Sequence, residues 1–171
     1  MELRRITPTD GPALKAIRLQ SLATDNAAFA IHRDQLAALS DADWTDVCRI
    51  NAHDDANTIL VAVLDGIFVG MVGCRQDISP KLQHCGMVWG MYVAPPQRGS
   101  GVGRRLLAAV REHGMGQSYT MLKLSVTNHS AAALALYSRA GFTAYANEPA
   151  LLCIDGITYD ACHMMYTYPR K

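Results

Sequence analysis

The chain has 171 residues, 50% of them hydrophobic, enough for a sizeable core, and predicts one domain spanning residues 1–171. Sixteen lysines and arginines against 15 acids leave a net charge of +1, which gives no reason to expect nucleic acid or an acidic surface as partner. No apolar run approaches a membrane span, no apolar signal core follows Met1-Glu2-Leu3-Arg4-Arg5, and the scattered Cys48, Cys74, Cys85, Cys153 and Cys162 form no C-x-x-C pair, so the expectation is a reduced, cytoplasmic protein without a disulfide framework or a zinc site.

Leu3 to Ile6 reads as a first strand. Thr7-Pro8-Thr9-Asp10-Gly11-Pro12 is a turn in which Thr9 or Asp10 caps a helix through Ser21. Leu14, Ile17, Arg18, Ser21 and Leu22 lie on its inward stripe. Residues 24–36 are less regular, a loop or a short helix. Ser40-Asp41-Ala42-Asp43 caps a further helix carrying Trp44, Val47, Cys48 and Ile50. Ile59 to Leu64 is a strand, Asp65-Gly66 a hairpin turn, and Ile67 to Cys74 the returning strand.

After the loop Ser79-Pro80-Lys81 comes the stretch around which the chain is organised. Met87, Trp89, Met91 and Val93 alternate with Val88, Gly90 and Tyr92, the period of a strand. Pro95-Pro96 ends it, because proline has no N–H for a ladder. From Val102, apolar residues recur at helical spacing as far as Gly114-Met115-Gly116. Met121 to Val126 is the next strand. The alanine-rich helix from Ser130 stops at Gly141 as a left-handed cap. Phe142 to Tyr145 is a strand, Leu151–Ile154 and Ile157–Tyr159 form a hairpin about Asp155-Gly156, and Cys162 to Tyr168 closes the chain. This order predicts a mixed α/β layer domain, helices packed on a largely antiparallel sheet.

Between strand and helix lies Gln97-Arg98-Gly99-Ser100-Gly101-Val102-Gly103-Arg104-Arg105. Glycines bring backbone N–H groups close to a ligand, and a glycine loop feeding a helix N-terminus is an anion site. Arg98, Arg104 and Arg105 add fixed positive charge. A P-loop would need Lys-Ser/Thr after its last glycine, where Arg104-Arg105 stands. A dinucleotide fingerprint would need G-x-G-x-x-G in the first strand–helix unit, whereas the spacing here is G-x-G-x-G past mid-chain.

Arg98-Gly99-Ser100-Gly101-Val102-Gly103 fits R/Q-x-x-G-x-G/A, the pyrophosphate-binding motif of the GNAT acetyltransferase superfamily, which the chain closely resembles. The strand ending Met91-Tyr92-Val93, Pro95, and Ala133-x-x-Leu136-Tyr137-x-x-x-Gly141-Phe142 match that family's order and spacing. Arg18-x-x-Ser21-Leu22 with Ala28-Phe29, and Asp155-Gly156-x-x-Tyr159-Asp160-x-x-His163-Met164, look like one bacterial branch of it. The resemblance implies the GNAT fold, α+β in type, with a mostly antiparallel sheet of about seven strands and helices on both faces. It implies acetyl-CoA as co-substrate, no metal, and cofactor contacts at Tyr92, Val93, Arg98, Gly99, Ser100, Gly101, Val102, Gly103, Arg104, Asn128, Ser130, Ala133 and Tyr137. One departure stands out: the family's asparagine seven residues before the helix tyrosine is Ser130 here, and Asn128 lies two residues earlier.

The implied reaction is direct attack of a primary amine on the thioester of acetyl-CoA. The N–H groups from Gly99 to Arg104, with Arg98 and Arg104, suit the pyrophosphate. The family's strand before the loop splays from the next one, here Tyr92-Val93-Ala94 from Leu124 to Val126, leaving the Val93 N–H as oxyanion donor. Tyr137 is the family's tyrosine, able to give a proton to the leaving thiolate. The strands Met87–Val93 and Met121–Val126 carry no acid. His84, just ahead of the first, is the candidate base by its intrinsic pKa. Asp77, Glu148 and Asp160 are remoter options, and a water relay or an acceptor of low pKa removes the need for a base. His129 and His163 fit bland exposed roles. Trp89 and Tyr92 can line an acceptor pocket that Phe29 closes.

Two alternatives stay open: transfer of another acyl group from its CoA thioester, and a CoA-binding module without turnover. The expected partner is a small-molecule or peptide amine, with no nucleic acid and no membrane. The terminal strands can pair between subunits in a homodimer.

Overall fold

In the computed structural model, which describes residues 1–169, local backbone signals set up the sheet. Asp65-Gly66 and Asp155-Gly156 each hold two successive residues at positive φ, 50° and 79° in the first and 51° and 79° in the second. That left-handed pair gives the two-residue turn whose twist suits a hairpin. The strands are β1 (Glu2–Arg5), β2 (Asn57–Leu64), β3 (Ile67–Gln76), β4 (Cys85–Val93), β5 (Met121–Thr127), β6 (Thr143–Ile154) and β7 (Ile157–Thr167). They form one seven-stranded sheet in the order β1-β2-β3-β4-β5-β7-β6. Every neighbouring pair is antiparallel except β4–β5.

Five helices, α1 (Gly11–Thr24), α2 (Arg33–Ala37), α3 (Asp41–His53), α4 (Val102–Gly116) and α5 (Ala131–Arg139), complete the α+β fold. Ser40 caps α3 by a reciprocal box: its Oγ accepts from the Asp43 N–H at 3.2 Å, and the Asp43 carboxylate accepts from the Ser40 N–H at 2.8 Å. Asp10 stands at the start of α1 as expected but does not cap it. Its carboxylate takes Arg4 at 2.6 and 2.9 Å and the Thr7 N–H at 2.7 Å, tying β1 to the entry of the helix. Gly141 ends α5 at φ 90°. Among the described residues no helix is long and apolar enough to cross a membrane.

The helices cover both faces. On one, Leu14 and Ile17 of α1 and Trp44 and Cys48 of α3 pack on Ile59, Val61, Met71 and Tyr92. On the other, Val102, Leu106 and Val110 of α4 and Tyr137 of α5 pack on Ala62, Val72, Val88 and Leu122. The closing strands differ from expectation. The four short pieces read from the sequence are two long strands, β6 and β7, whose register shifts between Ala144 and Ala146 and between Glu148 and Leu152. The second shift accommodates Pro149, with Ala150 at φ 52° and its N–H held by Asp160 Oδ1 at 2.9 Å; an edge strand tolerates both.

The alternation expected along β4 also breaks. Gly73 faces Trp89 while Met71 faces Tyr92, so β4 carries one extra residue at Gly90-Met91. Gly90 supplies the kink at φ 62°. The bulge reverses the parity: Trp89 and Tyr92 belong to the α1–α3 side, Val88, Met91 and Val93 to the α4–α5 side. Past the bulge the sheet opens. β4 and β5 pair only from Cys85 to Met87 against Met121 to Lys123, and the remainder of the two strands diverges.

Candidate active site

The glycine loop closes directly after this opening. Gly99 and Gly101 take φ of 79° and 87°, conformations that side-chain-bearing residues rarely adopt. Gly101 is the N-cap of α4 and carries no side-chain hydrogen bond, so the first amides of the helix face outward without a protein cap. A Cβ placed on Gly99 or Gly101 meets nothing within 4 Å, whereas one on Gly103 comes within 3.0 Å of Leu136 Cδ2 and 3.3 Å of Met91 Cε. The first two glycines therefore leave room above the loop, and the third lets α4 approach α5 and β4.

Arg98 anchors the loop to both sides of the opening. Its Nε–H donates to the Val93 carbonyl at 3.0 Å, and its Nη2 donates to Asp25. Its guanidinium also sits 5.8 Å from the Tyr92 ring centre. Asp25 begins the 3-10 turn Asn26–Ala28 that follows α1. The ion pair thus joins the loop after β4 to the segment after α1.

The register directs backbone groups into the gap. The Ala94 N–H donates to Val69 O at 2.9 Å, and antiparallel pairing alternates between bonded and non-bonded positions. Tyr92 opposite Met71 is therefore bonded to β3, while Val93 opposite Gly70 turns its N–H towards the missing β5 partner. Across the gap, α5 presents Ser130, Ala133, Leu136 and Tyr137, and together these parts line a cleft of about 660 Å³.

Tyr137 is the buried aromatic of α5, 7% exposed, edge-on to Phe142 at 6.0 Å between ring centres. Burial pushes its phenol well above the ordinary tyrosine range. It is a neutral O–H at physiological pH, and no side chain among the described residues binds it.

The cleft brings together most of the residues expected there: Tyr92, Val93, Arg98, Gly99, Gly101, Val102, Gly103, Arg104, Ser130, Ala133 and Tyr137, with Phe29 on its N-terminal wall. Ser100 and Asn128 are not among its lining residues. Ser100 Oγ donates to the Gln97 carbonyl at 2.6 Å, and Asn128 Nδ2 donates to Asn147 Oδ1 at 2.7 Å on β6. Nor does the structure bring His84 to the cleft. His84 is exposed just before β4, its carbonyl held by the Thr120 N–H at 2.8 Å. Met91 lies seven residues on, on the order of 20 Å along the strand. Asp77, Glu148 and Asp160 bind the Ser79 N–H, His163 and the Ala150 N–H instead. The acid that does line the cleft is Asp25, which the sequence left inside an irregular stretch. Met91, Gln97, Leu136 and Arg139 also line it unannounced. A residue of β4 next to a glycine was the signal for Met91, and helical spacing from Ala133 and Tyr137 the signal for Leu136.

A sheet split open ahead of a glycine cradle is a fold that acetyltransferases share. The family model described as acetyltransferase (GNAT) family matches residues 19–142, and the chain belongs to this family. It is 27% identical over 141 residues to a mouse protein named probable N-acetyltransferase family 8 member 5, covering 80% of this chain. It spans only 61% of that relative's own length. Among solved structures, the acetyltransferase of GNAT family from Streptococcus pneumoniae superposes with a TM-score of 0.88 at 24% identity, over 98% of this chain and 99% of that one. The yncA protein of Salmonella typhimurium, a putative acetyltransferase solved with its cofactor acetyl-CoA, superposes with a TM-score of 0.81 at 20% identity, over 100% of this chain and 95% of that one.

Proposed function

We propose that this protein transfers an acetyl group from acetyl-CoA to a primary amine within the cleft. The observation that carries the proposal is the opening between β4 and β5, with the Val93 N–H turned into it and Tyr137 on the facing helix. Membership of the acetyltransferase family and the acetyl-CoA held by the yncA neighbour support it.

The chain's own groups divide the work. The outward amides of Gly99 to Arg104 at the start of α4, with Arg98 and Arg104, hold the pyrophosphate. Bound acetyl-CoA supplies the activated acetyl group. The Val93 N–H, turned into the gap, would face the thioester oxygen. A preorganised N–H at that point stabilises the negative charge that develops there during attack. Tyr137, kept protonated by burial, gives its proton to the departing thiolate. The amine's own proton leaves by water, since Asp25, the acid lining the cleft, is held by Arg98 of the glycine loop.

Calorimetric titration with acetyl-CoA, followed by thiol release across an amine panel, tests this function. The expected result is binding followed by release with at least one amine. Absence of acetyl-CoA binding would refute the proposal, and binding without release on any acceptor would favour a non-catalytic CoA-binding module. Preference for a longer acyl-CoA in the same titration would favour another acyl donor.

A further inference from the structure

Arg18 of α1 is 9% exposed and stands in no ion pair with any described residue. Its Nη1 is buried with no hydrogen-bond partner. Two aromatic rings hold the guanidinium in place: Phe29 at 5.5 Å and Trp89 at 5.8 Å from the ring centres. Trp89 Nε1, on the second of those rings, is also buried and unpartnered. Two neighbouring side chains thus each carry a donor without an acceptor, one of them charged. A guanidinium stays protonated whatever its surroundings, and a buried cation without a counter-charge is costly. Contacts with ring faces offset only part of that cost.

The placement ties this spot to the cleft. Phe29 is shared: one face of its segment lines the cleft, and its ring packs on Arg18. Gly90, at the β4 bulge, has no side chain to screen the arginine, and a Cβ there would stand 3.4 Å from Nη1. The next residue is Met91, which lines the cleft. The unmatched cation thus lies between Phe29, which lines the cleft, and Gly90, which precedes the lining residue Met91.

We infer that Arg18 and Trp89 form the receptor for a carboxylate on the acceptor, so that the amine acetylated here is an amino acid rather than a neutral amine or a polyamine. The inference rests on the transferase function proposed above. The carboxylate supplies the counter-charge that the fold omits. Its planar pair of oxygens suits the guanidinium fork, and the rings hold that fork rigid before the acceptor binds. A polyamine would bring a second cation against Arg18, at a cost in the same buried surroundings.

The test compares free amino acids with their carboxamides and with the corresponding amines lacking the carboxyl group, using thiol release from acetyl-CoA. The expected result is a kcat/KM at least about tenfold, and up to a hundredfold, higher for the carboxylate of each accepted pair, the scale of a charged hydrogen bond. Equal or better turnover of the carboxamide, or of spermidine, overturns the inference while leaving the transferase function standing. Failure of every amine together with failure of acetyl-CoA binding refutes the transferase function instead. The thermal-shift arm then decides the receptor by itself: free amino acids raise the Tm of the wild-type protein more than their carboxamides, and no difference across the panel overturns it.

Arg18→Met, apolar and of similar reach, separates a receptor from a structural contact. The receptor predicts that the variant loses the preference for carboxylate over carboxamide, mostly through KM, keeps its calorimetric affinity for acetyl-CoA, and melts at or above the wild-type Tm because an unmatched buried charge is gone. A lower Tm with the preference intact assigns Arg18 to the core and overturns the inference. If the variant does not fold, Arg18→Lys, which keeps the charge and removes the fork, is expected to weaken the preference; an undiminished preference counts against the receptor.

Discussion

Replacing Tyr137 by phenylalanine isolates one atom of the proposed chemistry. The hydroxyl has no side-chain partner among the described residues, and the ring keeps its edge contact with Phe142. Removing it strands no donor or acceptor, so stability should change by no more than about 0.5 kcal/mol. Acetyl-CoA affinity should stay within about twofold, because the change removes one oxygen from a cleft whose anion-binding parts lie on α4. Turnover is different. A positioned acid contributes on the order of 10²–10⁴ in rate, which corresponds to about 2.7–5.4 kcal/mol of barrier. The burial that raises the phenol's pKa keeps it protonated across the neutral range, so the lost activity should not return on lowering the pH. The assay is steady-state thiol release with a saturating accepted amine, paired with calorimetry on the same preparation. A kcat within threefold of wild type, with unchanged affinity, would show that the thiolate takes its proton from elsewhere.

Three further outcomes follow from the fold. Gly101→Val forces a β-branched residue to φ 87° at a cost of about 1–2 kcal/mol and fills the room above the loop; acetyl-CoA affinity by calorimetry should fall at least about tenfold. Leu106→Ala empties a fully buried site between α4 and the sheet, and chemical denaturation should show a loss of about 2–5 kcal/mol. The Arg4 guanidinium holds the Asp10 carboxyl down at about 2 against an ordinary 3.8. Its folded pKa is lowered, so this pair contributes above pH 4 and is lost as pH falls through 2. Asp10→Asn should therefore cost about 1–2 kcal/mol at pH 7 and flatten that acid limb in urea titrations.

The legible parts of this chain are those governed by local backbone demands. Asp65-Gly66, Asp155-Gly156, Gly101 and Gly141 each sit where only a left-handed residue closes the turn or cap, and all four are visible as residues. The facing of β4 was not, because parity past Gly90 depends on how many residues of β3 lie opposite it. Asp25 escaped for a related reason: its place in the cleft follows from an ion pair with Arg98, 73 positions away. His84 shows the converse. An imidazole is a residue type suited to a general base, yet adjacency to β4 in sequence puts His84 at the far end of the strand from the cleft. Asn128 faces Asn147 only because β6 and β7 are long, and their length was hidden by Pro149.

The Arg98–Asp25 contact has an energetic corollary. An anion engaging Arg98 competes with Asp25, so filling the donor half of the cleft loosens the segment that walls the acceptor half. Linkage makes that influence mutual: an amine that needs the segment loosened binds better after acetyl-CoA, and raises acetyl-CoA's own affinity by the same factor. The two partners are 47% and 33% exposed, and such a pair is worth at most about 1 kcal/mol. On the proposed function the interdependence is thus bounded at roughly fivefold, and because it is mutual it makes the two substrates bind cooperatively without dictating which binds first.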